Sequence, residues 1–369
     1  MAKSNQHIFL FIFCIVGHFN ARAKSLKEPW LSRKHVALFV FGDSQFDAGN
    51  NNYINTTGKA NYWPYGETTF KYPSGRFSDG RLVPDFIAEY AKLPYIPPYL
   101  HPGIDQFIYG VNFASAGAGA LAETRTGLVI DLKTQLGYFK NVSRILRLQL
   151  GDAEAKTLLS RAVYLFSIGG NDYIFPFETN SSVLQIYSVE QFIGLVIGNI
   201  TDVIKEIYDI GGRKFGFPSL WPLECVPYAR VLEVENSGAC FDRVAPYEEL
   251  HNKQLSKLLQ KLQRDLKGFR YSIPDFHTLL EEMINHPSKY DFKEGKVACC
   301  GSGPYRGILS CGGRRGLKEY ELCDNASKYV FFDSAHPTER AYQQLAQLSW
   351  SGKSSVTGPY NLKALFESL

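Results

Sequence analysis

The architecture of this chain is indicated by one segment near its amino terminus, Val36-Ala37-Leu38-Phe39-Val40-Phe41-Gly42-Asp43-Ser44. Its six apolar residues form an unbroken run that stops at Gly42, which is typical of a buried parallel strand. A polar group just beyond the carboxyl end of such a strand lies where α/β proteins carry their chemistry. We therefore predict that Ser44 is a nucleophile, although a serine in this place also serves as the cap of a following helix.

A second polar segment, Asp333-Ser334-Ala335-His336, lies near the other end of the chain. A carboxylate three residues before a histidine can accept the imidazole Nδ1–H, which leaves Nε2 facing a serine hydroxyl. The alternative is a helix start in which Asp333 or Ser334 is the cap and His336 has no role. Together with Ser44, the segment favours a serine hydrolase. Other histidines lack an acidic residue at a useful spacing and are expected at the surface or at helix ends: His101, His251, His277 and His286.

Four blocks of the sequence resemble the plant GDSL esterase/lipase family of the SGNH hydrolase superfamily. They occur in the family's order and cover the chain from about residue 35 to about residue 350. The blocks are Gly42-Asp43-Ser44 with Asp47-x-Gly49-Asn50-Asn51, Asn112-Phe113-Ala114-Ser115-Ala116-Gly117-Ala118-Gly119, Ser167-Ile168-Gly169-Gly170-Asn171-Asp172 and Asp333-Ser334-Ala335-His336. Gln45 replaces the leucine that is more frequent in the family, at a position that flanks the nucleophile and carries no chemistry.

The resemblance implies acyl transfer by a site of five residues. Ser44 would attack an ester carbonyl, His336 would take the proton from its Oγ, and Asp333 would orient the imidazole. The oxyanion would be held by the N–H groups of Ser44 and Gly117 and by the side-chain amide of Asn171, for which an Asx-turn is the alternative role. This chemistry requires no metal and no cofactor.

The second block also fits a loose dinucleotide-binding fingerprint, Gly117-x-Gly119-x-x-Ala122. It follows the second predicted strand rather than the first. The next residues, 123–127, interrupt any helix that could hold a pyrophosphate. We therefore expect no nucleotide cofactor.

Strands and helices alternate along the chain. The pattern predicts strands at residues 36–41, 107–113, 162–168, 214–217 and 271–273, and helices at 82–92, 132–150, 152–161, 189–208, 245–266 and 338–350. This alternation, together with the family resemblance, predicts an α/β fold: a doubly wound, flavodoxin-like α/β/α sandwich with a mostly parallel central sheet. Residues 50–81 form a long aromatic loop region, which we expect to be ordered and to line the substrate cleft.

Residues 1–23 have the features of a secretory signal peptide: Lys3, an apolar segment at residues 8–16 and the cleavage motif Ala21-Arg22-Ala23. The apolar segment is too short to span a bilayer, which argues against a membrane anchor. We predict one hydrolase domain at residues 24–369, secreted to the extracellular space or the cell wall, without a transmembrane anchor.

Cysteines and sequons agree with export. Six cysteines remain after Cys14 and are expected to form disulfides in an oxidising compartment: Cys225, Cys240, Cys299, Cys300, Cys311 and Cys323. A zinc site made of the last four is the alternative, and the adjacent pair Cys299-Cys300 disfavours it because neighbouring cysteines rarely both ligate one ion. Five sequons predict N-glycosylation, at Asn55, Asn141, Asn180, Asn199 and Asn325.

The charge of the chain does not indicate a nucleic-acid partner. The formal net charge is +4, of which Lys3 and Arg22 contribute two, and no basic run is interleaved with aromatic residues. The expected partner is a small-molecule or lipid ester. Two alternatives to the esterase are an acyltransferase with the same machinery and a secreted binding protein that no longer turns over. The intact set of five site residues argues against the binding protein, and the sequence indicates no oligomeric state.

Overall fold

The computed structural model describes residues 36–233 and 238–368. Its strands are β1 (Leu38–Gly42), β2 (Gly110–Asn112), β3 (Val163–Ser167), β4 (Lys214–Gly216), β5 (Arg270–Pro274), β6 (Cys300–Gly301), β7 (Glu321–Leu322) and β8 (Thr357–Pro359). Six of them form the central sheet in the order β2-β1-β3-β4-β5-β8, in which only β8 is antiparallel to its neighbour. The predicted, mostly parallel sheet is therefore confirmed.

Helices flank this sheet. They are α1 (Val83–Tyr90), α2 (Leu132–Leu150), α3 (Asp152–Arg161), α4 (Gly170–Glu178), α5 (Val183–Ile186), α6 (Val189–Ile210), α7 (Pro227–Leu232), α8 (Ala245–Asp265), α9 (Phe276–Asn285), α10 (Glu339–Ser351) and α11 (Leu362–Glu367). One group packs together through α2, α3, α6 and α8, and a second through α1, α10 and α11. The sandwich architecture is that expected of a doubly wound fold.

The sequence-based boundaries differ from the structure where local signals are weak. The strand predicted at residues 107–113 comprises only β2 in the structure. It begins at Gly110, whose φ of +102° lies outside the range of extended strands. Helix α4 is not predicted by periodicity, since Gly169 and Gly170 lie at its start and Pro176 lies within it. The edge strand β8 and the helices α9 and α11 are also absent from the sequence-based prediction.

Aromatic packing fixes β1 against β3. The ring of Phe41 stacks on Phe166 with centroids 4.7 Å apart, and Phe39 stacks on Tyr164 at 5.5 Å. All four side chains are buried in the core. Because these strands run parallel and in register, the polar segments that follow them meet at one edge of the sheet.

Gly42 at the end of β1 cannot be replaced without distortion. Its φ is +142°, and a Cβ built on it would lie 2.2 Å from the carbonyl oxygen of Ser167, the residue that it pairs with on β3. Its backbone N–H and C=O are both satisfied by the side-chain amide of Gln135, at 2.8 Å each. This close approach places the residues after β1 directly over β3.

The long loop region at residues 50–81 is held in place by buried polar contacts. Arg76 forms an ion pair with Asp85 of α1 at 2.7 Å, and both side chains are buried. The Asp79 carboxylate accepts a hydrogen bond from the backbone N–H of Glu339, the first residue of α10 (2.7 Å). These contacts fix the loop region to α1 and to α10, the helix that begins just after His336.

Three disulfides join the six cysteines of the described chain, which confirms the disulfide prediction. They pair Cys225 with Cys240, Cys299 with Cys323 and Cys300 with Cys311. The adjacent cysteines 299 and 300 thus have different partners, and the zinc alternative is wrong. The backbone N–H of Cys300 donates to the carbonyl oxygen of Phe332 (2.7 Å). The disulfide-rich region, residues 299–323, therefore lies against the segment that leads into Asp333.

The predicted signal peptide at residues 1–23 lies outside the described residues and stays a prediction. Among the helices of the described chain, none combines the length and the apolarity needed to cross a membrane. Four of the five sequon asparagines are exposed, at positions 55, 180, 199 and 325. The fifth, Asn141, is half-buried on α2, where its amide donates to the Tyr99 hydroxyl (3.0 Å).

Candidate active site

The structure brings the predicted nucleophile, base and carboxylate into one hydrogen-bonded chain. Ser44 follows β1, and its Oγ lies 2.8 Å from Nε2 of His336. Nδ1 of the same imidazole lies 2.6 Å from Oδ1 of Asp333. All three residues are buried. This arrangement allows the imidazole to take the hydroxyl proton while the carboxylate fixes its orientation.

The segment from Asp333 to His336 is a turn fixed by its own backbone. Oδ1 of Asp333 also accepts hydrogen bonds from the N–H groups of Ala335 (3.0 Å) and His336 (2.9 Å). The alternative interpretation of this segment was the start of a helix, but helix α10 begins only after it. Thr338 is the cap of α10, since its hydroxyl accepts from the N–H of the third helical residue.

Asp333 is held in its ionised form. Burial raises the pKa of its carboxyl, but the charge and hydrogen bond of His336, the charge of Arg315 and the hydrogen bond of Tyr65 outweigh burial and lower the pKa to about 2. The Tyr65 hydroxyl donates to Oδ2 at 2.7 Å. The carboxylate is therefore a full acceptor for the imidazole at neutral pH.

Arg315 reaches this site from the disulfide-rich region, and no motif in the sequence indicates it. Its guanidinium carbon lies 5.4 Å from the ring centroid of Tyr65 and 5.1 Å from that of Phe77, and the group donates to the carbonyl oxygen of Lys59 (2.7 Å). The Nε atom is buried without a hydrogen-bond partner in the described chain. Arg315 thus supplies a fixed positive charge behind Asp333.

The residues that carry the three predicted oxyanion donors, Ser44, Gly117 and Asn171, all line one cleft. The backbone N–H groups of Ser44 and Gly117 have no acceptor among the described residues, so both are available to a ligand. The Asn171 amide donates to the carbonyl oxygen of Ala118 (3.0 Å), which holds it beside Gly117. This contact joins the first turn of α4 to the loop that carries Gly117 and differs from an Asx-turn, in which the side chain bonds to its own turn.

The remainder of the first block holds the second block in place. The Asp47 carboxylate accepts from the N–H of Ala116 (3.0 Å), and the Asn51 amide donates to the carbonyl oxygen of the same residue (2.9 Å). The Asn50 amide donates to the carbonyl oxygen of Ala114 (2.8 Å). These buried contacts fix the backbone on the amino-terminal side of Gly117, which is what orients its N–H.

The last residue of the third block has a similar role. The Asp172 carboxylate accepts hydrogen bonds from the N–H groups of Ala120 (2.7 Å) and Leu121 (3.1 Å) and from the Thr124 hydroxyl (2.6 Å). It therefore ties the loop that follows Gly117 to α4, the helix that carries Asn171. The sequence pattern indicates the block but not these hydrogen bonds of Asp172.

Three buried carboxyls lie near the nucleophile, because Asp43 directly precedes Ser44 and interacts electrostatically with Asp47 and Asp172. Burial raises the pKa of Asp43 to about 7, although the N–H of Gln45 opposes the shift. Burial likewise raises the pKa of Asp47 and that of Asp172 to about 6, against several hydrogen bonds to each carboxylate. The region behind Ser44 thus disfavours additional negative charge.

The side chains of Ser44 and His336 open into a cleft of about 350 Å³. Most of its wall is apolar and includes Phe46, Phe77, Leu128, Val129, Ile174, Leu220, Trp221, Leu223, Val226, Phe276 and Leu309. Four of the lining residues come from the loop region at 50–81, namely Thr56, Thr57, Gly58 and Phe77, as expected. One wall is charged, because Arg125 forms an ion pair with Glu178 (2.5 Å).

Gln45 flanks the nucleophile, and its Oε1 accepts a hydrogen bond from the Tyr342 hydroxyl (2.5 Å). The expectation that the other histidines lie at the surface or at helix ends is wrong for His251, which is buried with Nδ1 2.8 Å from the Tyr173 hydroxyl. His277 lies in the first turn of α9 and is partly exposed, in line with that expectation, and its Nε2 lies 3.2 Å from Oε1 of Glu248.

Comparisons with known proteins agree with the sequence blocks. The family model described as GDSL-like Lipase/Acylhydrolase matches residues 38–349. The chain is 59% identical over 336 residues to GDSL esterase/lipase 1 of Arabidopsis thaliana, covering 90% of each chain. It is 55% identical to GDSL esterase/lipase 2 of the same plant over 100% of both chains. It is 52% identical to a GDSL lipase of Tanacetum cinerariifolium, over 91% of this chain and 89% of the relative.

Proposed function

The chain belongs to the GDSL-like lipase/acylhydrolase family and is a carboxylic ester hydrolase, and we propose that it acts as a secreted serine esterase through a Ser44 acyl-enzyme. Its substrates in this proposal are esters of lipids or of small plant metabolites. The observation that carries the proposal is the continuous chain from Ser44 Oγ through His336 to Asp333, with distances of 2.8 and 2.6 Å. Hydrogen-bond lengths in this range are those required of a nucleophile, a base and an orienting group.

In the first half-reaction, Ser44 Oγ attacks the ester carbonyl carbon while its proton moves to Nε2 of His336. The ionised Asp333 stabilises the imidazolium that forms. The negative oxygen of the tetrahedral intermediate is held by the N–H groups of Ser44 and Gly117 and by the amide of Asn171. Each such donor typically contributes about 3 kcal/mol to transition-state stabilisation. The bond to the alcohol then breaks, and the leaving alkoxide takes the proton from the imidazolium.

In the second half-reaction, a water molecule takes the place of the alcohol. His336 removes a proton from this water as it attacks the acyl carbon, and the proton then passes to Ser44 Oγ when the acid leaves. The same three donors hold the second tetrahedral oxyanion. The N–H groups of Ser44 and Gly117 support these roles because the described protein does not use them elsewhere.

The cleft supports an ester substrate with a substantial apolar part. Its volume of about 350 Å³ and its mostly apolar walls suit a ligand whose hydrocarbon portion is removed from water. The charged wall formed by Arg125 and Glu178 provides polar contacts on one side of the nucleophile. An acyl chain and a polar alcohol could therefore occupy opposite parts of the cleft.

The test is hydrolysis of p-nitrophenyl esters from short to long acyl chains by the protein and by Ser44→Ala. We expect turnover by the wild type and a loss of more than about 10³-fold in the variant, with an unchanged melting temperature. Retained activity in Ser44→Ala would refute the nucleophile assignment. Adding an acceptor alcohol separates the hydrolase from the acyltransferase, because only a transferase forms the new ester in preference to the free acid.

Secretion and glycosylation are part of the proposal. They are supported by the three disulfides, which persist in oxidising compartments, and by the four exposed sequon asparagines. Expression in a eukaryotic secretory host should give a protein that begins after Ala23 and loses mass on deglycosylation. Intracellular retention of the unprocessed chain would contradict the signal-peptide prediction.

A further inference from the structure

A second group of ionisable side chains lies outside the proposed catalytic machinery. Glu224 belongs to the short 3-10 turn at Leu223–Cys225, Glu248 to α8 and His277 to the first turn of α9. One ligand atom from each lies within 4.8 Å of the corresponding atoms of the other two. Three separate elements of the fold therefore bring two carboxylates and one imidazole to a single point.

The carboxylates at this point are incompletely satisfied. Glu248 is only 1% exposed, and its Oε2 has no hydrogen-bond partner in the described part of the chain. Oε2 of Glu224 is also buried without a partner. In the absence of a cation the two carboxyls share a proton, because burial, the charge of Glu224 and a hydrogen bond between the two groups raise the pKa of Glu248 to about 10.

No arginine or lysine of the described residues forms an ion pair with either carboxylate. Arg230 lies close enough to interact electrostatically with Glu224. Its guanidinium, however, donates to the carbonyl oxygens of Cys225 (2.9 Å) and Gly238 (2.6 Å). The pair therefore has no arginine or lysine of the described chain in hydrogen-bond contact, and a bound cation would displace the proton that Glu248 holds.

The geometry points to a divalent cation of the zinc class bound by Glu224, Glu248 and His277, and we propose this as a new site of the protein. Two carboxylates and a neutral imidazole give a mixed oxygen and nitrogen set, which suits Zn²⁺ better than Ca²⁺ or Mg²⁺. One divalent cation also neutralises the two carboxylates. Ligand atoms at about 2.1 Å from Zn²⁺ lie about 3.4 Å apart in a tetrahedron, so separations of up to 4.8 Å must contract by up to about 1.4 Å on binding.

The surroundings of the three side chains fit such a site. The Asn252 amide donates to Oε1 of Glu248 (2.9 Å) and to the carbonyl oxygen of Leu220 (3.0 Å), which orients a ligand in the manner of an outer-shell partner. The His277 side chain is 29% exposed, which gives a cation and its remaining water ligand access from solvent.

Binding at this site would reinforce one wall of the substrate cleft. Leu223 and Phe276 both line the cleft, and each is the immediate neighbour of a ligand. A cation that joins Glu224 and His277 to α8 would hold these two side chains in place. The role assigned to the cation is structural, and it takes no part in acyl transfer.

The experiment uses the full, disulfide-bonded chain without an affinity tag, freed of metal by EDTA and dialysis. The melting temperature is measured with and without Zn²⁺ at pH 7, and bound metal is counted by mass spectrometry. We expect one Zn²⁺ per chain and a rise of about 4 °C at Zn²⁺ concentrations about a hundredfold above the dissociation constant. Mn²⁺ and Ca²⁺ serve as comparison cations and should give smaller shifts.

Matched variants locate the effect. Glu248→Gln removes a buried ligand, whereas Glu249→Gln removes the exposed carboxylate of the adjacent residue on α8. The Zn²⁺-dependent rise should disappear in Glu248→Gln and persist in Glu249→Gln. Should Glu248→Gln fail to fold, His277→Ala replaces it, because that side chain is partly exposed.

The metal-free proteins provide a second readout. There, Glu248→Gln should be as stable as the wild type or more stable, because the amide replaces a buried carboxyl that is protonated when no cation is bound. The proposal is overturned if the wild type binds no Zn²⁺. It is also overturned if the wild type and Glu248→Gln respond equally to Zn²⁺. Neither result would affect the proposed esterase mechanism, which is tested by Ser44→Ala.

Discussion

The Tyr65 hydroxyl donates a 2.7 Å hydrogen bond to Oδ2 of Asp333, the carboxylate oxygen that His336 does not contact. Tyr65 is fully buried, and its ring lies edge-on to Phe77 and to Phe332 at 5.9 and 5.5 Å. The donor is thus rigid, and it satisfies an oxygen that water cannot reach. The aromatic loop region therefore supports the proposed triad as well as lining the cleft.

Tyr65→Phe should lower kcat by about tenfold to a hundredfold while KM stays nearly constant. A hydrogen bond to a charged acceptor contributes about 1.5–3 kcal/mol, and its loss leaves Oδ2 of Asp333 buried without a donor. The matched control is Tyr62→Phe, because the Tyr62 hydroxyl is buried without a partner in the described chain and its ring contacts Tyr65. The measurement is steady-state kinetics on one ester for all three proteins. Equal effects of the two variants would show that Tyr65 acts only through packing.

Gly117→Ala should reduce kcat by about 10²–10³-fold, the cost of displacing one oxyanion donor. The residue has φ +86°, and a Cβ there would lie 3.0 Å from Cδ of Arg125 and 3.1 Å from a methyl group of Val129. Gly127→Ala is the control. Its φ of +76° carries a similar backbone strain, but a Cβ there would meet nothing within 4 Å. If both variants lose the same activity, strain rather than the oxyanion donor explains the effect.

Asp43→Asn should change how stability depends on pH. Burial raises the pKa of Asp43 from 3.8 to about 7, so its contribution to the free energy of unfolding is complete below pH 4 and is lost as the pH rises through 7. The asparagine cannot ionise. The variant should therefore gain up to about 4 kcal/mol relative to the wild type between pH 4 and pH 8.

Urea unfolding of both proteins at pH 4 and pH 8 measures this gain, and a difference that is the same at both pH values would contradict it. Asp324→Asn is the control for charge removal, because Asp324 is exposed.

Replacing Cys300 and Cys311 by alanine should lower the free energy of unfolding by about 3 kcal/mol, the chain-entropy estimate for a loop of this size. The two cysteines are 11 residues apart, and the loop that they close ends shortly before Arg315, whose charge acts on Asp333. Thermal unfolding in non-reducing buffer measures the loss. Intact mass after thiol alkylation should show no labelled cysteine in the wild type, and an unchanged melting temperature in the double variant would refute a stabilising role.

Several features of this protein follow from the sequence by itself, because they depend on neighbours in the chain. The apolar run before Gly42 predicts β1, and the periodicity of residues 132–161 predicts α2 and α3 with the bounds that the structure shows. Asp333 and His336 are predicted as partners because three residues of a tight turn suffice to bring a carboxylate to Nδ1. These contacts are local, so residue type and spacing determine them.

Other features were decided only by the tertiary structure. The contact of Tyr65 with Asp333 spans 268 residues, and the contact of Asp47 with Ala116 joins two blocks whose spacing has no periodic signal. The cluster of Glu224, Glu248 and His277 likewise combines three elements. The physical reason is that strand order and loop packing set such distances. Residue type and local periodicity predict whether a segment forms a strand or a helix. The parallel register of β1 and β3 and the packing of the loops determine which side chains meet.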